Sequence, residues 1–348
     1  MTAVLDSPPR GAARPRSVTA SPRLAGLALA VAALGVLAVL SVTLGVRDVS
    51  LEDLLAALGG LDENVSQAAV HKRLPRTLLA MLVGAVLGLA GAVMQGVTRN
   101  PLADPGILGV TAGASLAVVV GIAFAGLSSP TGFIWVAIAG AAVSAVLVYV
   151  VGSLGRGGAT PLKLALAGAA TSAAFSSLIS AILLPRIAVM DSFRFWQIGG
   201  VGGASLGRIG TVLPFLLVGT LLCLVVARGL NSLALGDDLA AGLGERVALT
   251  RAAAATGAVL LCGAATAVAG PIGFVGLVVP HACRLLVGSD HRWLLPLSMV
   301  VGAALLTAAD LVGRLVARPS EVDVGIVTAL VGAPVFIVVV RRMRGRTL

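Results

Sequence analysis

Hydrophobic residues in this chain fall in long unbroken runs, not in the short alternating or one-faced stripes of a soluble domain. The run from Thr77 to Thr98 carries no charged residue and is long enough to cross a bilayer as a helix. Read this way, the chain has ten expected spans: 24–46, 77–98, 106–126, 133–152, 162–184, 209–229, 250–268, 272–288, 294–313 and 324–341. The eighth is the weakest, because Pro271 and Pro280 interrupt it and proline breaks the helical hydrogen-bond ladder. The expected fold class is all-α, a polytopic membrane protein of about ten helices with one membrane domain over residues 24–342. Residues 1–23 are rich in Pro, Arg, Ser and Ala, a composition that cannot bury a core and predicts a disordered tail. Residues 343–348 read as a second short tail.

The polar breaks between these runs carry most of the information. Arg99-Asn100-Pro101-Leu102-Ala103-Asp104-Pro105-Gly106-Ile107-Leu108-Gly109 interrupts two apolar runs with two prolines. Irregular backbone near membrane depth is tolerated only where protein covers it or where it lines a wet path, so this break suggests a conduit. Asn100 and Leu102 read as a gate, a polar side chain beside an apolar plug, or as a plain helix stop. Residues 47–76 contain Ser50-Leu51-Glu52-Asp53, a capping-box-like start that predicts a short helix to about Leu58. Residues 230–250 are amphipathic with a Gly236-Asp237 turn in the middle, and predict two short helices beneath the membrane.

Composition agrees. The 348 residues are 58% hydrophobic and 11% charged, with a mean hydropathy of +1.04. There are 44 glycines, roughly twice the usual share of about 7%. Gly84/Gly88 and Gly109/Gly113 have the small-xxx-small spacing that lets membrane helices approach closely. The formal charge of +10 is not a nucleic-acid signal. With the termini inside, sixteen of the 25 Lys/Arg but only six of the 15 acids face the cytoplasm. This positive-inside bias accounts for the basic excess. Cys223, Cys262 and Cys283 lack metal or redox spacing and read as apolar packing residues.

Enzyme chemistry is not expected. Neither Lys72 nor Lys163 sits in a phosphate-cradling loop, so this chain does not hydrolyse ATP alone. His71, His281 and His291 lack zinc-protease spacing, and no metal site is expected. Candidate binding residues lie elsewhere. Arg73-Leu74-Pro75-Arg76 contains a proline that could open the next helix. Its arginines could clamp carboxylates or snorkel at the interface; Arg314 has the same two readings. Asp310, four residues before Arg314, favours an outer-end salt bridge on one helix face. Ser172, Ser176 and Ser180 share a face of the fifth span, where they line a polar path or, with slightly more weight, pack.

Taken in order, these motifs resemble the permease subunit of ABC importers for iron–siderophore complexes and vitamin B12. The resemblance spans residues 24–342 and rests on Arg73-Leu74-Pro75-Arg76, Gly91-Ala92-Val93-Met94-Gln95-Gly96, Asn100 to Pro105 with Leu108-Gly109, Leu164 to Gly168, Gly236-Asp237 with Leu243-Gly244, Gly270 to Leu277 with Pro280-His281 and Arg284, and Gly325-Ile326 with Gly332-Ala333-Pro334. It implies a multi-pass protein of the bacterial plasma membrane, working as half of a permease dimer, identical or paired with a sister chain. It also implies two separate ATPase subunits that bind the ATP–Mg, and an extracytoplasmic binding protein. No cofactor is bound by the chain itself. By the same resemblance, Arg73, Arg76 and Arg314 face out and meet acidic residues of the binding protein, and Asn100 and Leu102 form the inner gate. Gly236, Asp237, Asp238, Ala240, Leu243 and Gly244 lie in the helix pair that docks in an ATPase groove. Two departures stand out. Asp323 replaces a usual proline before the last span, and Thr160-Pro161-Leu162 offers one hydroxyl where a second constriction often has more. An ion-driven transporter would need carboxylates deep in the spans, which the chain almost lacks; a non-transporting scaffold is the other rival.

Overall fold

The computed structural model describes residues 20–45, 49–154 and 160–344, and among them every regular element is helical. The two terminal tails and the loop around Arg156 fall outside these residues, apart from the four that open the first helix and the two that close the last. The ten expected spans correspond to α1 (Ala20–Thr43), α3 (Val65–Thr98), α4 (Val110–Ala125), α5 (Pro130–Ser153), α6 (Pro161–Leu183), α8 (Leu206–Val225), α11 (Val247–Ala269), α12 (Val275–Val287), α13 (His291–Val316) and α14 (Val324–Arg344). Seven described helices are long and apolar enough to cross a membrane by length and composition; α4, α12 and α14 contribute shorter apolar stretches. Shorter helices fill the connections: α2 (Leu51–Leu58), α7 (Ile187–Gln197), α9 (Ala227–Leu233) and α10 (Asp237–Gly242).

The centre of the bundle is α3, which packs against α13, α11 and α12. Small residues make this possible. A Cβ at Gly84 would overlap the Gly302 carbonyl of α13, and one at Gly113 would overlap Ser144 of α5. The core cluster takes Leu79, Val83, Leu89 and Val93 from α3, Leu261 from α11, and Leu294, Leu297 and Leu306 from α13. Cys223, Cys262 and Cys283 are free and buried, as packing residues should be. In contrast, α6 and α14 leave Leu166, Leu178, Leu330 and Ile337 open. Exposed side chains of this size suit lipid or another apolar partner.

Three elements differ from expectation. First, α3 starts at Val65, twelve residues before the apolar run. Asn64 caps it by accepting from the Gln67 N–H at 2.8 Å. Pro75 therefore lies inside the helix instead of opening one. Second, the third span does not run on from residue 106. Asp104 caps a 3-10 turn over Pro105–Leu108 by accepting from the Gly106 N–H, and Gly109 then takes φ +67°, a backbone that favours glycine. Only after it does α4 begin. Third, α7 was not anticipated, because Asp191 and Arg194 break its apolar pattern.

Candidate transport site

Chemistry-bearing side chains gather at opposite ends of the bundle, one end carrying α2 and the other carrying α9 and α10. At the α2 end, Ser50 caps its helix as its sequence predicts, accepting from the Asp53 N–H at 3.0 Å. A small satellite core of Val42, Leu54, Ala57 and Val70 seats α2 on α1 and α3. Beside it lies an ion-pair network. Arg76 of α3 grips Asp310 with Nε and Nη2, at 3.0 and 2.8 Å, and reaches Glu321 with Nη1 at 2.5 Å. Arg314 meets the other Asp310 oxygen at 3.0 Å. It also donates to the Ser41 carbonyl at 2.8 Å and the Ser41 hydroxyl at 2.6 Å, and Ser41 in turn contacts Thr77 at 2.7 Å. One carboxylate therefore holds two guanidinium groups, joining α1, α3, α13 and the segment before α14. Both side chains of the Asp310–Arg314 pair are 2% exposed.

A cavity of about 310 Å³ opens nearby between α5, α8, α11 and the glycine-rich segment 199–203. Trp196, Phe133, Arg208 and Asp323 line it. Burial pushes the Asp323 carboxyl up from its ordinary value, against the attraction of Arg76.

At the opposite end, α3 stops at Thr98 and Arg99 takes a left-handed conformation, φ +50°. Asn100 then folds its side chain back, its Oδ1 accepting from the Leu102 N–H at 2.9 Å. The 3-10 turn that follows packs against α6, α11 and α5, and Ser144 donates to the Gly109 carbonyl at 2.8 Å. Ala103 to Gly106, Leu108 and Gly109 are buried or half-buried by these helices while Arg99 and Asn100 stay exposed, and irregular backbone at membrane depth needs such cover. Below it, Gly236 separates α9 from α10 with φ +114° and ψ 154°, a region essentially reserved for glycine. Asp237 and Asp238 occupy the first turn of α10, where the helix dipole favours negative charge. Asp237 receives Arg251 of α11 at 2.9 Å and is also paired with Arg99. On the far side of α9, Asn231 accepts from the His291 N–H at 2.9 Å and donates to Asp290 at 2.7 Å.

An all-helical bundle with a capped break and a turn-linked helix pair at one end narrows the possibilities, and comparison with known proteins decides among them. Residues 29–342 match the model of the FecCD transport family. The chain belongs to that family. The FecCD protein is 46% identical, over 78% of its length and 81% of the relative's, to the probable siderophore transport system permease protein YfiZ of Bacillus subtilis. It is 45% identical, over 87% of its length and 91% of the relative's, to the ferric enterobactin transport system permease protein FepD of Escherichia coli. Among solved structures, a chain described as an inward-facing conformation of a metal-chelate type ABC transporter superposes with a TM-score of 0.80 at 31% identity, covering 92% of this chain and 99% of that one. This is a multi-pass membrane protein, a permease subunit of the ABC importer class.

The expected site residues divide between the two ends. Asp237 and Asp238 stand at the α9–α10 turn, directly after Gly236. Ala240 is buried beneath the helix pair instead of being presented by it. The presented side chains are Leu235, Leu239 and Leu243, 58%, 63% and 69% exposed. Leu235 and Leu239 are not among the expected residues, although their spacing of four is legible in the sequence. Gly244 closes α10 at φ +84°. Ser172 is half-buried, while Ser176 and Ser180 are exposed on α6, so the latter two do not pack inside this chain.

The arginines change most. Arg314 does not face outward; among the described residues it is the largest fully buried side chain, drawn in because Asp310 and the Ser41 and Leu44 carbonyls engage its two Nη groups, while its Nε is left without a partner. Arg73 donates to the Val42 and Thr43 carbonyls at 3.1 and 3.0 Å, and Arg76 is 13% exposed. The expected Asp310–Arg314 salt bridge is present, but buried. Glu321, which joins Arg76 from 245 residues away, left no local sequence signal.

Proposed function

We propose that this FecCD protein is the translocation subunit of an importer for iron(III)–siderophore complexes, working as half of a permease dimer. Two separate ATPase subunits bind and hydrolyse ATP at its α9–α10 end, which is cytoplasmic. An extracytoplasmic binding protein delivers the chelate at the α2 end. The chain makes and breaks no bonds; its task is to open alternately to the two sides. The observation that carries this reading is the α9–α10 pair itself. Leu235 in the turn, Leu239 on α10 and Leu243 at its end are exposed around Gly236, and together form a handle that a motor subunit can grip.

The gate assignment follows from position. Asn100 and Leu102 begin the irregular segment directly above that handle, and exposed α6, with Ser176 and Ser180, offers the second copy a face on which to build a pathway. A chelator shields the metal charge, so a pathway of small, apolar and hydroxyl side chains suffices. Docking of the binding protein is proposed for Arg73 and Arg76, which of the three expected arginines are the two that retain partial exposure. Arg314 acts behind them by holding Asp310.

Cargo is tested in cells. A deletion strain is supplied in turn with radiolabelled ferric catecholate, ferric hydroxamate, ferric citrate, haem and cobalamin. Loss of uptake confined to one ferric chelate, restored by the gene, is expected. Loss confined to cobalamin or haem would overturn the iron assignment.

A further inference from the structure

The handle and the gate segment are joined by one side chain, Arg99. Its backbone closes α3 and its neighbours Asn100 to Leu102 begin the gate segment. Its guanidinium reaches the other way. Nε donates to the Leu233 carbonyl at the end of α9, at 2.6 Å, and Nη2 pairs with Asp237 at the start of α10. It therefore touches both sides of the Gly236 hinge. The rest of the handle is held unequally. α9 is fixed to the first turn of α13 through Asn231. α10 packs mainly on α9 and α11 and is tied sideways to Arg251 through Asp237.

Stability does not explain this contact. The Arg99 and Asp237 side chains are 37% and 44% exposed, and exposed pairs contribute typically about 0–1 kcal/mol. Arg99 is also an unfavourable choice for its backbone, since a left-handed cap at a helix end is ordinarily glycine or asparagine. A side chain that tolerates a strained backbone and stabilises little is there for what it connects.

We infer that Arg99 is a positioning residue that transmits movement of α10 to the gate, its guanidinium carrying displacement of Asp237 to the segment Asn100–Leu102. The inference rests on the proposed gate and handle assignments. It predicts that the link can be cut without damage to either part. Arg99→Gly suits the left-handed backbone and removes the guanidinium; Arg99→Asn does the same and keeps a side chain. Arg99→Lys keeps the charge toward Asp237 but cannot also serve the Leu233 carbonyl in the same geometry.

The test uses the complete transporter, with its ATPase, in inverted vesicles. Leu102→Cys reports the gate through its reaction rate with a membrane-impermeant maleimide, with and without ATP. In the Leu102→Cys parent the rate changes between the two states. With Arg99→Gly or Arg99→Asn added, the nucleotide response should vanish while ATP hydrolysis continues. Chelate taken up per ATP should be lost with the nucleotide response, and Arg99→Lys should recover part of both. A full nucleotide response in Arg99→Gly and Arg99→Asn would overturn the inference and leave the gate standing. No response in the parent would remove the gate assignment and the inference with it. Failure of both Arg99 variants to assemble with the ATPase would make Arg99 a folding contact, and would also overturn it.

Discussion

Asp310 faces two arginines in a place that water barely reaches, and the consequences of removing any one member differ. Breaking a buried pair from one side strands the remaining charge and typically costs about 3–5 kcal/mol. Arg314→Met leaves Asp310 with Arg76, so a loss toward the lower end is expected. Asp310→Asn leaves two arginines facing each other and should be worse. Thermal unfolding in detergent ranks the two, and equal midpoints would show that the network is not buried in the folded protein. At the other end, Asp290 supplies a pH dependence. Burial alone would raise its pKa, but hydrogen bonds from Arg292 and Asn231 outweigh burial and hold it below the ordinary 3.8. A depressed carboxyl stabilises the fold fully above its unfolded value and loses that contribution as pH falls through the folded one. The stability difference between wild type and Asp290→Asn should therefore be constant at neutral pH and shrink only below about 3.8. A difference that shrank near neutrality would contradict the assignment.

At the scale of elements, the α9–α10 pair depends on one backbone conformation. Any side chain at Gly236 must leave φ +114°, at a strain of order 1–3 kcal/mol. Gly236→Ala should therefore insert and fold but lose ATP-driven uptake, whereas Leu239→Asp should lose the ATPase from the purified complex. Uptake at wild-type rate in both would remove the handle from the account. Much of this was legible in advance. Spans announce themselves by uninterrupted apolar runs, and Ser50 and Gly236 by local chemistry that only a few residue types supply. What stayed hidden was non-local or context-bound. The stretch from Val65 to Arg76 reads as a polar connection because its helix is held by an Asn64 cap and by α2 packing, not by lipid. Arg314 reads as an outward-facing cation until α1 is known to lay the Ser41 carbonyl, and the residue after it the Leu44 carbonyl, against it. Arg99 looks like ordinary positive-inside charge until the fold brings Leu233, 134 residues later, to its Nε.

The whole molecule is a bundle whose tight centre and open periphery suit different jobs. Gly84 and Gly88 let α3 lie against the α13 backbone, and this core is the part that should stay rigid while the exposed helices tilt. Gly84→Val would force the helices apart and should abolish stable insertion, as judged by yield and by monodispersity in detergent; normal behaviour would mean that α3 and α13 do not approach so closely. Exposed α6 and α14 are open to the proposed second permease copy, and Leu235, Leu239 and Leu243 to the proposed motor subunit. Transport should be driven by this motor and not by an ion gradient. Proteoliposomes decide it when prepared with the permease alone, with permease plus ATPase, and with an ATPase that cannot hydrolyse ATP, each supplied with the binding protein and a radiolabelled ferric siderophore. Accumulation in the second preparation only, and only with ATP, is the expected result. Accumulation by the permease alone under an imposed proton gradient would contradict the account.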